Sequence, residues 1–100
     1  MGLFGKKIRV SDFYSAQEIQ ALEAAVEPLI TSRLIDFNAR MHYNSFIRMV
    51  SDGKKALNRA DVSQLLTAAE SFAKADPTSA AALQDGIGKM KVWLDNSSNH

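Results

Sequence analysis

Residues 15–50 read SAQEIQALEAAVEPLITSRLIDFNARMHYNSFIRMV and make up more than a third of the 100-residue chain. Ser15, Ala16, Gln17 and Glu18 form a capping box: the serine oxygen can accept from the backbone at Glu18, and the glutamate can reach back to Ser15. Such a serine cap contributes about 1 kcal/mol. At about 100° per residue, Ile19, Leu22, Val26, Leu29, Ile30, Leu34, Phe37 and Met41 fall on one helical face. A second apolar set, Ile35, Ala39, Tyr43, Phe46, Met49 and Val50, lies roughly opposite. From Leu34 to Val50 the segment is therefore apolar on more than one side, and such a helix needs cover from several neighbours or from another chain.

Pro28 interrupts this pattern. It removes a helical hydrogen bond and biases Glu27 away from helical geometry, and Thr31 and Ser32 can cap a new helix starting at Arg33. The first long helix is expected to be kinked or broken near 28–32. Length makes the break matter. A straight helix over 16–50 would be about 50 Å long, whereas a compact chain of this size is roughly 35 Å across. The helix must fold back, or a partner must cover its exposed length.

Working outward, Asp52 and Gly53 end the segment with turn chemistry, Gly53 suiting the position just past a helix. Asn58 can cap the next helix, with Asp61 in its first turn. Val62, Leu65, Leu66, Ala69, Phe72 and Ala73 then form one stripe. Asp76 and Pro77 close that helix and open another. Ala80, Leu83, Ile87, Met90 and Leu94 share a face of the last helix, which Gly86 and Gly88 weaken by about 1 kcal/mol each and where the helix can bend or end. The fold class is all-α: a small bundle of three to four helices near 16–30, 33–50, 59–75 and 78–94. The expected core comprises Leu22, Val26, Leu29, Ile30, Leu34, Phe37, Phe46, Leu65, Leu66, Phe72, Leu83, Ile87 and Met90. Residues 1–14 read as an irregular arm anchored by Ile8, Val10 and Phe13, residues 15–95 as a single helical domain, and 96–100 as a disordered polar tail.

The composition, 46% hydrophobic and 23% charged, is that of an ordinary globular domain. The absence of cysteine removes disulfides, thiolate catalysis and cysteine metal sites. A formal charge of +1 gives no overall attraction to nucleic acid or an anionic membrane. The opening MGLFGKKIRV lacks a signal-peptide core. Lys6 occupies the sixth position, where a myristoylation signal requires Ser or Thr. No run approaches the roughly 20 apolar residues of a membrane span. A cytoplasmic protein without a membrane role is expected.

No catalytic or ligand motif stands out. His42 has no second ligand at metal spacing, and His100 lies in the tail. Gly86, Ile87, Gly88 and Lys89 are not preceded by a strand and make no phosphate loop. No cofactor and no metal are expected, and the chain reads as a non-enzyme. The residues that stand out are Arg33, Phe37, Arg40, Tyr43, Asn44 and Arg48, a strip of base, aromatic and amide groups suited to recognition. The leading expectation is a non-catalytic protein acting through protein contacts, self-associating through residues 33–50. Two alternatives are a nucleic-acid-binding or regulatory domain using the basic region 33–59, and a bundle holding a small ligand beside Phe37, Tyr43, Phe46 and Trp93.

Overall fold

The computed structural model describes residues 8–98. A short strand, β1 (Ile8–Arg9), leads through a 3-10 turn at Val10–Asp12 into helix α1 (Ala16–Thr31). Helix α2 (Phe37–Val50), strand β2 (Ala56–Leu57), helix α3 (Arg59–Ala75) and helix α4 (Pro77–Ser98) follow. The all-α expectation holds, with β1 and β2 adding one antiparallel ladder that pairs Ile8 with Leu57 and Arg9 with Ala56. Helix α3 lies between α2 and α4 and packs along both, while α1 meets α4 and touches α2 only lightly.

The helix starts follow from side-chain chemistry. Ser15 Oγ accepts from the Glu18 N–H at 3.1 Å, and Glu18 Oε1 accepts from the Ser15 N–H at 2.9 Å. Asn58 and Asp61 make the same reciprocal pair at the start of α3, at 2.8 and 3.1 Å. These bonds satisfy amides that have no helical partner. Asp76 ends α3, its N–H donating to the Phe72 carbonyl at 2.8 Å, and Pro77 opens α4.

The break expected near 28–32 falls just after Thr31. Pro28 sits inside α1, in its last turn and on the exposed side, where water replaces the lost backbone bond at little cost. Thr31 and Ser32 do not restart the helix. Asp36 does so instead, its Oδ1 accepting from the Ala39 N–H at 2.7 Å, and α2 begins at Phe37 rather than Arg33. The molecule is long, 51 × 22 × 18 Å, and α1 and α2 touch only lightly.

Two members of the expected core are on the surface. Leu34 and Phe37 are 75% and 77% exposed, for a reason given with the site below. Leu29, Ile30 and Leu66 are only half-buried, and the remaining eight expected residues are buried. Val10, Phe13 and Tyr14 join them as fully covered side chains. They are held there because the segment before α1 lies on the α2–α3 connection. The Val10 N–H donates to the Lys55 carbonyl at 3.2 Å and the Ser11 N–H to the Gly53 carbonyl at 3.0 Å. Residues 1–7 and 99–100 lie outside the described residues, and α4 carries the chain as far as Ser98.

Tyr14 is the centre of this core. Its hydroxyl donates to the Leu83 carbonyl at 2.9 Å. Its ring stands edge-on to Phe46, centroids 5.0 Å apart at 90°, a geometry that adds about 0.5–1.5 kcal/mol beyond the buried area. Phe46 continues to Phe72 at 6.4 Å, and Phe72 to Tyr43 at 5.4 Å. The ring of Tyr14 lies directly on Gly86, where an added Cβ would collide with it. Helix α4 runs unbroken through Gly86 and Gly88, and the first of these glycines is a packing requirement.

Opposite outcomes are expected at the two glycines. Gly86→Ala forces the Tyr14 ring aside and should lower stability in urea unfolding by about 1–3 kcal/mol. Gly88→Ala meets nothing within 4 Å and should raise stability by about 0.8–1 kcal/mol through helix propensity. A pH effect follows from the tyrosines. Burial first, then the charges of Glu18 and Asp85, pushes the Tyr14 phenol well above its usual value. Burial, then Glu23 and Glu27, raises Tyr43 as well. A raised folded value means that this stability is complete below the unfolded value of about 10 and is lost as pH climbs above it. Urea midpoints should fall above about pH 10, and less so in Tyr14→Phe once its lower starting stability is subtracted.

Candidate interaction surface

Helix α2 carries two opposed faces. Ala39, Tyr43, Phe46 and Val50 point inward and are buried. Phe37, Met41, Asn44 and Arg48 recur at spacings of four, three and four, which is one helical stripe, and all four are exposed. Leu34 precedes this stripe by three residues and Ser51 follows it by three, both also exposed. Arg40 flanks it.

Five of the six residues singled out from sequence, Arg33, Phe37, Arg40, Asn44 and Arg48, are thus on the surface together. Tyr43 is not among them. It is 6% exposed and its ring lies against Phe72, because its position falls on the inward stripe of α2. Leu34 and the 52% exposed Met41 take its place. The sequence pattern places Leu34 in the core and Met41 on the same helical face only if α1 and α2 share one phase. The non-helical residues 32–36 reset that phase, turning the second apolar set inward and leaving the end of the first set outside. The signal that could have found this is Asp36, a cap one residue before Phe37.

The corner before α2 is closed by backbone bonds. The Arg33 N–H donates to the Ile30 carbonyl at 3.1 Å, and the Leu34 N–H to the Leu29 carbonyl at 2.8 Å. This is the double bond pattern of a Schellman cap, whose left-handed position usually holds glycine. Here it holds Arg33 at φ 59°, the one non-glycine residue with positive φ among the described residues. An L-residue in that conformation costs about 1–2 kcal/mol. Asp36 is engaged as the α2 cap and, among the described residues, makes no ion pair with Arg40.

Other candidates separate in space. The four aromatic residues proposed to line a ligand site do not gather. Phe37 is outside, Tyr43 and Phe46 are in the core, and Trp93 lines a groove with Ile8 and Leu57 at the strand pair. At that groove the Arg59 guanidinium donates to the Leu94 carbonyl at 3.1 Å. A second groove of 650 Å³ runs between the start of α1 and the end of α2, beside Ile19, Glu23, Ile47 and Val50. Lys89 pairs with Asp85 at 2.9 Å, and that hydrogen bond raises its pKa. His42 is half-buried on the side of α2 next to α3, near Ser45, Met49 and Thr67. Among the described residues no three His, Cys, Asp or Glu side chains gather as a metal site, and no helix is long and apolar enough to cross a membrane. Comparison with protein-family models, curated proteins and solved structures finds no match to this chain.

Arg33→Gly should stabilise the isolated chain by roughly 0.5–1 kcal/mol, the left-handed penalty less the extra freedom glycine has when unfolded. Chemical unfolding of the two proteins at a concentration low enough to keep both monomeric measures it. An unchanged or lower stability would mean that the arginine side chain holds the corner in some other way.

Proposed function

We propose that this chain is a non-catalytic helical protein that works through protein contacts and self-associates through residues 33–50. The observation that carries the reading is the grouping of Leu34, Phe37 and Met41. Three large apolar side chains are 52–77% exposed within eight residues, Leu34 in the corner before α2 and Phe37 and Met41 on that helix, whose other side is already filled by its own core. Isolated exposed apolar residues are ordinary, but a contiguous group marks an interaction site. Strain at Arg33, beside the same group, adds support, because unfavourable backbone conformations cluster where function requires them. The non-catalytic part is supported by how the polar side chains are engaged: Asp12, Ser15, Glu18, Asp36, Asn58 and Asp61 all bond backbone amides at turns and helix starts. The cysteine-free sequence supports a place in the cytoplasm.

A second reading rests on the charge of the same face. Arg33, Arg40 and Arg48 are all exposed, which would suit phosphate contacts with a nucleic acid, joined by Lys54 and Lys55. The apolar centre of the face favours the protein reading, since phosphate contacts gain nothing from Leu34, Phe37 or Met41.

Sedimentation velocity from about 1 µM to about 1 mM, the range of weak to moderate protein affinities, tests the reading. The native chain should shift to a dimer as concentration rises, and Phe37→Asp should remain a monomer over the same range. Because Phe37 lies outside the core, its replacement should change monomer stability by no more than about 0.5 kcal/mol. A native chain that stays monomeric throughout sinks self-association. Salt-sensitive binding of labelled DNA or RNA by that monomer would favour the second reading.

A further inference from the structure

We propose that the outward stripe of α2 pairs with the same stripe of a second copy in antiparallel register, setting Arg48 of each copy over Phe37 of the other. The inference rests on the self-association reading and names its geometry. Phe37, Met41, Asn44 and Arg48 of α2 alternate at spacings of four, three and four, the repeat by which two helices form a continuous seam, with Leu34 in the corner before the helix and Ser51 at its C-cap beyond the two ends. All six are exposed. The stripe is self-complementary only when reversed. Turned end for end about a two-fold axis between residues 42 and 43, Phe37 meets Arg48 and Met41 meets Asn44 of the other copy, and the Leu34 corner comes to the end that carries Ser51. Every position of the stripe then finds a partner within the stripe.

Charge selects this orientation. A parallel pair would set Arg48 against Arg48 and Phe37 against Phe37. The reversed pair places each guanidinium on an aromatic face, a favourable contact in which arginine is common. It brings Arg48 to the helix end that carries Asp36, and Arg33 to the end that carries Asp52. Among the described residues, the Asp36 and Asp52 carboxylates each accept one backbone hydrogen bond, through Oδ1, which leaves the second oxygen of each for a guanidinium. Antiparallel helix dipoles also oppose rather than reinforce one another. A two-fold contact of this kind is isologous, using the same patch on both copies, and closes at the dimer.

The lack of native cysteine makes disulfide trapping clean. Two single-cysteine variants, Asn44→Cys and Ser51→Cys, leave Phe37, Met41 and Arg48 in place. A disulfide needs Cα atoms within about 7 Å. In the reversed pair, the two copies of residue 44 are three residues apart along the axis, about 4.5 Å, while those of residue 51 are seventeen apart, about 25 Å. With each variant first verified as a dimer by sedimentation, mild oxidation should link Asn44→Cys into a covalent dimer and leave Ser51→Cys unlinked. Linking of both overturns the orientation in favour of a parallel pair. Linking of neither, with the dimer intact, overturns α2 as the seam while leaving self-association standing. A native chain that never dimerises removes both this inference and the reading beneath it.

Discussion

The Tyr14 side chain ties the segment before α1 to both α2 and α4 in the middle of the core. Its hydroxyl bonds the Leu83 carbonyl of α4, its ring lies on Gly86 of the same helix, and its edge meets Phe46 of α2. A phenol can do this because one end is apolar enough for the core and the other carries a donor for a buried carbonyl. The requirement on α4 is severe: only a residue without Cβ lets the ring approach. The position in α4 that helix propensity disfavours is therefore the one that the tertiary contact demands, and packing outweighs a propensity deficit of about 1 kcal/mol.

From that wedge the arrangement of the other elements follows. Phe46 links Tyr14 to Phe72 of α3, and Phe72 links to Tyr43, so the inward stripe of α2 is committed to α3. Helix α1 then has little left to cover. It buries only Leu22 and Val26 fully, and its acids Glu23 and Glu27 lie near enough to raise the Tyr43 phenol. The corner joining α1 to α2 stands at the thinly packed end of this arrangement, which is where an uncovered apolar stripe can survive without being drawn into the core.

Local chemistry was legible in the sequence wherever it depended on residues a few positions apart. The Ser15–Glu18 box, the Asn58 cap and the Asp76 and Pro77 junction are all contained within single turns, and the helices α3 and α4 fell close to where their stripes placed them. What could not be read depended on distant partners or on accumulated phase. Tyr14 looks like part of an irregular arm until Gly86, 72 positions later in the sequence, is known to lie under it. The inward and outward faces of α2 were legible as two stripes, but which one faces the core depends on how far the chain rotates across residues 32–36. Periodicity carries no information through a non-helical corner. The candidate surface inherits that limit: Arg33, Phe37, Arg40, Asn44 and Arg48 were legible as a strip of recognition chemistry, whereas Tyr43 was included and Leu34 and Met41 omitted because of the phase.

Arg33 ties the stability of the corner to the proposed pairing. Its left-handed conformation costs the monomer free energy that glycine would largely recover. In the reversed pair, its guanidinium lies toward the end of the second copy that carries Asp52, a contact that glycine could not make. A residue that is unfavourable in the monomer and useful in the pair fits the general exchange of stability for activity at functional sites. Binding only to the folded form also adds stability in proportion to the logarithm of concentration. Pairing would thus firm up first the part of the fold with the least packing of its own, the corner between α1 and α2.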